Sequence, residues 1–260
     1  MPEIVLAHSI EPIFLPTQDD LPYDDGIPME TQRHKWQMDL LIDGLSTWLD
    51  AREDGYVNGN MFVYFNLAQA KNQDFKGPDF FAVVGVPKQE RKSWVVWEEG
   101  KAPDVVIELL SPSTAQHDKT EKKKIYQDKL RVSEYFWYDP FDAEDFAGFV
   151  LHNGCYESIP LTEQGWLRSD RLSLVLRRWS GDYRGIKATW LRWATPAGVV
   201  LPTAQELAAA AQQEALAAKE LAVVAQQEVA FAQQEVTVTQ QRAERLAAKL
   251  RELGIDPEQV

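Results

Sequence analysis

The segment from Pro103 to Tyr126 constrains the fold of this chain more than any other. Pro103-Asp104 is a turn signal, and Val105-Val106-Ile107 is an apolar, β-branched run that reads as a buried strand. Ser111-Pro112-Ser113-Thr114 ends the run, because proline has no N–H to give a sheet ladder. A basic segment with Lys119, Lys122, Lys123 and Lys124 follows and predicts a helix at about 118–130. Lys122 and Tyr126 lie four apart and share one face of that helix.

A single carboxylate, Glu108, interrupts the apolar run. A buried carboxylate costs free energy unless it is paired, hydrogen-bonded or bound to a metal. Exposure on an edge strand, or pairing with a nearby lysine, would answer that cost without any chemistry. A second acid points further. Asp79, in GPDFFAVVGV, also follows a proline and also opens a strand-like run. Two acids on neighbouring strands with a lysine close behind are the parts of a hard-cation site. Mg²⁺ takes oxygen ligands, commonly one or two carboxylates with waters and phosphate oxygens. Such an ion activates water and stabilises the charge that develops on a phosphodiester.

At these residues the sequence resembles the Uma-type family of bacterial putative restriction endonucleases, members of the PD-(D/E)XK nuclease superfamily. The resemblance spans roughly 29–193 and rests on GPDFF at 77–81, PDVVIELLSPST at 103–114, DKTEKKKIY at 118–126 and VSEYFWYDP at 132–140. It implies Asp79 as the first metal-binding acid, Glu108 as the second and the Leu109 carbonyl as a third ligand. Mg²⁺ would be the cofactor, with Mn²⁺ as a substitute, and DNA the substrate. The superfamily pattern puts a lysine two residues after the second acid, where this chain has Leu110. The resemblance implies that Lys122, from the following helix, takes its place. Further candidates are Glu30, since a glutamate on the first helix joins some superfamily sites, and Tyr126. Asp104 is an alternative first acid. It lies four residues before Glu108, about 13 Å along a strand, so Asp79 is preferred.

The remaining chain predicts an α+β (α/β-like) fold: a restriction-endonuclease-like core with a mixed β-sheet flanked by helices, then a long C-terminal helix. Residues 1–28 form an irregular arm, 29–195 the domain, 196–202 a linker, 203–254 the helix and 255–260 a tail. A helix over 30–52 has Thr31 as N-cap and an apolar face of Trp36, Leu40, Leu41, Leu45, Trp48 and Leu49. His34, near its start, reads as structural. Strand-like runs lie at 56–66, 79–86, 94–97, 135–138, 172–179 and 189–193. A hairpin at 149–159 turns at Asn153-Gly154. The tryptophans within these runs read as sheet packing rather than base-stacking platforms.

The net charge of −13 speaks against a general phosphate-backbone binder, but the charge is uneven. Residues 1–32 carry seven carboxylates and no Lys or Arg, whereas 118–131 carry six Lys/Arg against three acids. Local field matters more than net charge in a groove. The single cysteine, Cys155, excludes a disulfide framework and reads as a small buried hydrophobe. No apolar run reaches transmembrane length and no secretory signal is present, so the expectation is a soluble, cytoplasmic protein without a membrane partner.

From Ala204 to Leu253 there is no Gly or Pro, and apolar residues recur with a 4-3 rhythm. Gln-Gln-Glu repeats at 212–214, 226–228 and 233–235 reinforce the seven-residue period. The seam is mainly alanine until Leu246 and predicts coiled-coil association, most simply a homodimer. Two functions follow from the whole chain: a metal-dependent endodeoxyribonuclease, or a nuclease-like scaffold of weak or lost activity that recruits partners through its helix.

Overall fold

The computed structural model describes residues 15–23, 31–72, 77–254 and 256. They fall into two compact units, Met1–Ala204 and Gln205–Val260. Glu30 and most of the N-terminal arm lie outside the described residues.

The first unit is built on a six-stranded mixed sheet. Its strands are β1 (Asp54–Asn58), β3 (Phe80–Pro87), β5 (Val105–Leu109), β6 (Glu134–Tyr138), β7 (Phe146–His152) and β8 (Cys155–Ser158), adjacent in that order. β5 and β6 pair in parallel and every other neighbouring pair is antiparallel. β2 (Val63–Tyr64) and β4 (Trp94–Val95) form a small parallel pair. β9 (Leu167–Ser169), β10 (Leu174–Tyr183) and β11 (Ile186–Ala194) form a separate antiparallel sheet.

The central place of β5 answers the first question about Glu108. All five residues of β5 are buried, as a strand with neighbours on both edges and packing on both faces must be. An edge position for Glu108 is therefore ruled out. Alternation divides the side chains. Ile107 and Leu109 pack with Phe80, Phe136 and the first helix, α1 (Gln32–Asp50), through Met38, Leu41 and Leu45. Val106 faces the other way, with Phe81, Tyr135, Tyr126 and Leu130. Glu108 shares that second face.

The chain between β5 and β6 makes a crossover helix over 115–130. Two of its stretches, Asp118–Lys122 and Tyr126–Leu130, have wide i→i+5 turns, a form common at functional sites. It ends at Arg131, whose φ of 55° is left-handed.

α1 begins as its sequence predicts: the Thr31 side chain accepts a hydrogen bond from the His34 N–H. Its buried Gln37 bonds both backbone groups of Leu191, at 2.8 and 2.9 Å, which ties α1 to β11. The 149–159 hairpin turns at Asn153 and Gly154, both with positive φ.

Three expectations differ. The strand predicted at 94–97 stops after Val95, and Val96–Glu99 forms a helical turn closed by left-handed Gly100. Its pairing partner β2 is only two residues long, so the ladder has nothing further to bind. The strand-like run at 56–66 divides: β1 ends at Asn58, and Val63–Tyr64 pairs in a different sheet. Cys155, read as buried, is exposed, because it opens the edge strand β8.

The described residues of the second unit belong almost wholly to one helix, Ala204–Glu252, of 49 residues with none buried. Among the described residues no helix is long and apolar enough to cross a membrane.

Candidate active site

The crossover helix lays two side chains onto the Glu108 carboxylate. Tyr126 O–H donates to Oε1 at 2.6 Å. The Lys122 ammonium donates to Oε2 at 3.1 Å. The spacing of four that places Lys122 and Tyr126 on one helix face aims both at the same buried acid. Glu108 thus has the lysine partner foreseen as an alternative to a metal role.

Lys122 also pairs with Asp118, one turn earlier, at 2.9 Å. The Glu108 and Asp118 side chains expose 0% and 1% of their surface, against 20% for Lys122. Burial works against the lysine's charge, but Glu108, Asp118 and Asp79 together outweigh it and raise its pKa. Lys122 is therefore an ammonium at neutral pH. Behind the cluster, Tyr135 O–H donates to the Asp118 carbonyl at 2.9 Å and braces the wide turn.

Asp79 enters from the neighbouring strand. It sits just before β3, half-buried, and its Oδ2 accepts the Leu109 N–H at 2.7 Å. The carboxylate continues the β3–β5 ladder by one bond and is held at the end of β5. Burial, and then the charge of Glu108, push the Asp79 carboxyl well above the usual carboxylate range, against the pull of Lys122. A tight turn packs behind it. The Asn60 N–H donates to the Pro78 carbonyl at 2.9 Å, and a Cβ on Gly59 would stand 2.1 Å from the Asp79 carbonyl oxygen.

Asp79, Glu108, Lys122 and Tyr126 thus converge, with the backbone of Leu109 between the two acids. Asp104 does not join them. Its carboxylate accepts the Val84 N–H at 2.9 Å and pairs with Lys101 at 2.7 Å. Glu30 falls outside the described residues. Leu110 is fully buried and its carbonyl bonds His34 Nε2 at 2.9 Å, so the usual lysine position is closed by the core. His34 has the structural role read from the sequence, with Nδ1 bonded to Thr31 at 2.8 Å.

Sequence reasoning missed Asp118 as a member of the cluster. The available signal was its spacing: Asp118, Lys122 and Tyr126 stand at successive intervals of four. Nearby, Lys119 pairs with Asp145, which also accepts the Trp137 indole N–H at 3.1 Å. Among the described residues no group of three His, Cys, Asp or Glu side chains is arranged to hold a metal ion. Any ion here would rest on fewer side chains, with backbone and solvent oxygens.

A family model described as "Putative restriction endonuclease", Uma2, matches residues 14–189. The chain belongs to the Uma2 family. No curated protein matches the sequence. Among solved structures, the chain is similar to one described as a putative nuclease belonging to DUF820, from Anabaena variabilis ATCC 29413. The identity is 17% and the TM-score 0.41, covering 61% of this chain and 91% of that one. The Uma2 match includes every member of the cluster, Asp79, Glu108, Asp118, Lys122 and Tyr126.

Proposed function

We propose that this Uma2 protein is a metal-dependent endonuclease that hydrolyses DNA phosphodiester bonds. Asp79 and Glu108 would hold Mg²⁺, or Mn²⁺ in its place, with the Leu109 carbonyl as a third ligand and Lys122 assisting. The observation that carries this reading is the approach of Lys122 to Glu108 from the crossover helix, beside Asp79.

The donor set fits a divalent hard cation. All the donors are oxygens, which Mg²⁺ prefers. Asp79, Glu108 and Asp118 face a single ammonium, so full ionisation leaves two negative charges unbalanced. The raised Asp79 pKa reflects its burial first and then the charge of Glu108. When bound, the ion would supply Lewis-acid stabilisation and an activated water.

The remaining work falls to this chain's own groups. Lys122 keeps its proton at neutral pH, so it acts by charge: it orients the attacking water or stabilises the oxygens of the pentavalent phosphorus. Asp118 holds the same ammonium with a second carboxylate contact. Tyr126 fixes the Glu108 rotamer through its hydrogen bond, and the Leu109 N–H does the same for Asp79. Such fixed carboxylates need little reorganisation when substrate arrives.

A second reading, a nuclease-like scaffold of weak or lost activity that recruits partners, is favoured by buried Leu110 in place of the usual lysine and by a long helix with no buried residue. A cleavage assay on plasmid and single-stranded DNA separates the two. It compares Mg²⁺, Mn²⁺ and EDTA, with Glu108→Gln beside the wild type. The nuclease reading expects metal-dependent cleavage that disappears in the variant. Cleavage that persists in Glu108→Gln, or in EDTA, refutes the assigned site, while no cleavage together with no metal binding leaves the scaffold.

A further inference from the structure

The C-terminal helix is long and has no buried residue. Val229, Val236, Leu246 and Leu253 on its seam each expose more than half of their surface, from 55% to 71%. We propose that two copies of this chain pair through this helix in antiparallel orientation, in the register that sets Ala211 of one chain against Ala243 of the other. This deepens the association expected from the heptad pattern and does not depend on the chemistry at Glu108.

Size is the first argument. The seam carries seven alanines between Ala204 and Ala225, then Leu246, Leu250 and Leu253 at its far end. A parallel, in-register pair sets alanine against alanine over its first half and leucine against leucine at its end. Helix axes pack about 8–10 Å apart according to the side chains between them. One end would need close approach and the other separation. The antiparallel register sets Leu250 against Ala204, Leu246 against Ala208, Val236 against Ala218 and Val229 against Ala225. These four layers each join a larger residue to an alanine, and with the Ala211–Ala243 and Ala222–Ala232 layers between them the spacing is more even than in a parallel pair.

Charge is the second and is independent of the first. From 204 to 241 the helix has five glutamates against one lysine. From 242 to 252 it has Arg242, Arg245, Lys249 and Arg251 against two glutamates. Antiparallel pairing brings the basic end of each copy, 242–252, beside Glu206 and Glu214 of the other. Flanking charges of this kind set orientation and partner choice in coiled coils. In this register Glu214 meets Arg242 of the second copy, once on each side, and these two pairs outnumber the one like-charge contact, Glu228 with Glu228 at the midpoint. A parallel pair would offer Glu214 with Lys219 instead, and would set Arg242 beside Ala247. With 1.5 Å of rise per residue, the two points where the helices leave their domains would stand about 70 Å apart.

The test uses the full chain with Cys155→Ser, because the native cysteine is exposed. Ala211→Cys and Ala243→Cys are made separately, mixed, and oxidised mildly. The proposal expects a sedimentation mass twice the 29.6 kDa of the chain. It expects a disulfide-linked dimer from the mixture and no cross-link from either variant alone. Self-cross-linking of each single variant would establish a parallel pair and overturn the proposal. A monomer, a larger assembly, or a dimer that fails to cross-link in the mixture would also overturn it. As a second check, Glu214→Arg should raise the dissociation constant by about 2- to 30-fold, and adding Arg242→Glu should restore it. No effect of the single reversal refutes the register.

Discussion

Replacing Lys122 by methionine isolates the role of the buried ammonium. Methionine keeps much of the apolar stem, so the change removes charge and hydrogen bonds more than packing. Lys122 is the cation at 3.1 Å from Glu108 and 2.9 Å from Asp118, and its charge also acts on Asp79. Its loss leaves three acids facing one another. Removing one partner of a buried pair costs about 3–5 kcal/mol. At about 2–4 °C per kcal/mol for a unit of this size, the melting temperature should fall by about 6–20 °C.

The pH dependence has a definite sign. Burial and the charge of Glu108 already raise the Asp79 carboxyl, and without the opposing pull of Lys122 it holds its proton still more tightly in the folded chain than in the unfolded one. Folded protein then binds more protons above the ordinary carboxylate range, and stability falls as pH rises. The deficit should be largest at neutral pH and shrink towards pH 4. Mg²⁺ should narrow it too, since an ion bound only to the folded state stabilises that state. Urea titrations followed by tryptophan fluorescence suit this test. All nine tryptophans lie between Trp36 and Trp193, so the signal reports the domain and not the long helix. A variant within about 1 kcal/mol of wild type at pH 7, or a deficit that does not change with pH, would refute the reasoning.

Tyr126→Phe removes the 2.6 Å hydrogen bond to Glu108 and should cost about 1.5–3 kcal/mol in urea titrations, with slower cleavage by the protein that remains folded. Gly59→Ala puts a methyl group 2.1 Å from the Asp79 carbonyl oxygen, so the backbone must move. We expect about 1–3 kcal/mol of destabilisation and weaker Mn²⁺ binding, whereas unchanged binding would show that Gly59 does not position Asp79. Glu134 is a separate buried acid, bonded by the Ser169 hydroxyl and by the N–H groups of Asp170 and Arg171. Burial nonetheless raises its pKa, so its contribution is favourable below the ordinary glutamate value and is lost as pH rises through the folded value. Glu134→Gln should gain stability relative to wild type over that rise, and a pH-independent difference between the two proteins would contradict this.

Much of the fold was legible because strong local signals agreed with the tertiary structure. Thr31 and the spacing of Leu40, Leu41 and Leu45 predict α1, and Asn153-Gly154 predicts the hairpin turn. The strand with Glu108 and the helix with Lys122 were readable from β-branching and charge. The convergence of Lys122 on Glu108 was not, because it depends on the parallel pairing of β5 with β6 and on the crossover between them. Asp118 stayed hidden for a related reason: within a basic, charged segment its burial shows only once the helix lies on the sheet. Cys155 misled because residue type favours burial, while its place at the start of an edge strand decides exposure.

The most direct test of the central claim is a Mn²⁺ titration of the wild type and Asp79→Asn, followed by electron paramagnetic resonance. It is run with and without an oligonucleotide whose phosphodiesters resist hydrolysis. The account predicts one bound ion per wild-type chain, tightened by the oligonucleotide and lost or strongly weakened in the variant. Absence of binding under both conditions, or equal binding by Asp79→Asn, would contradict a metal site at Asp79 and Glu108.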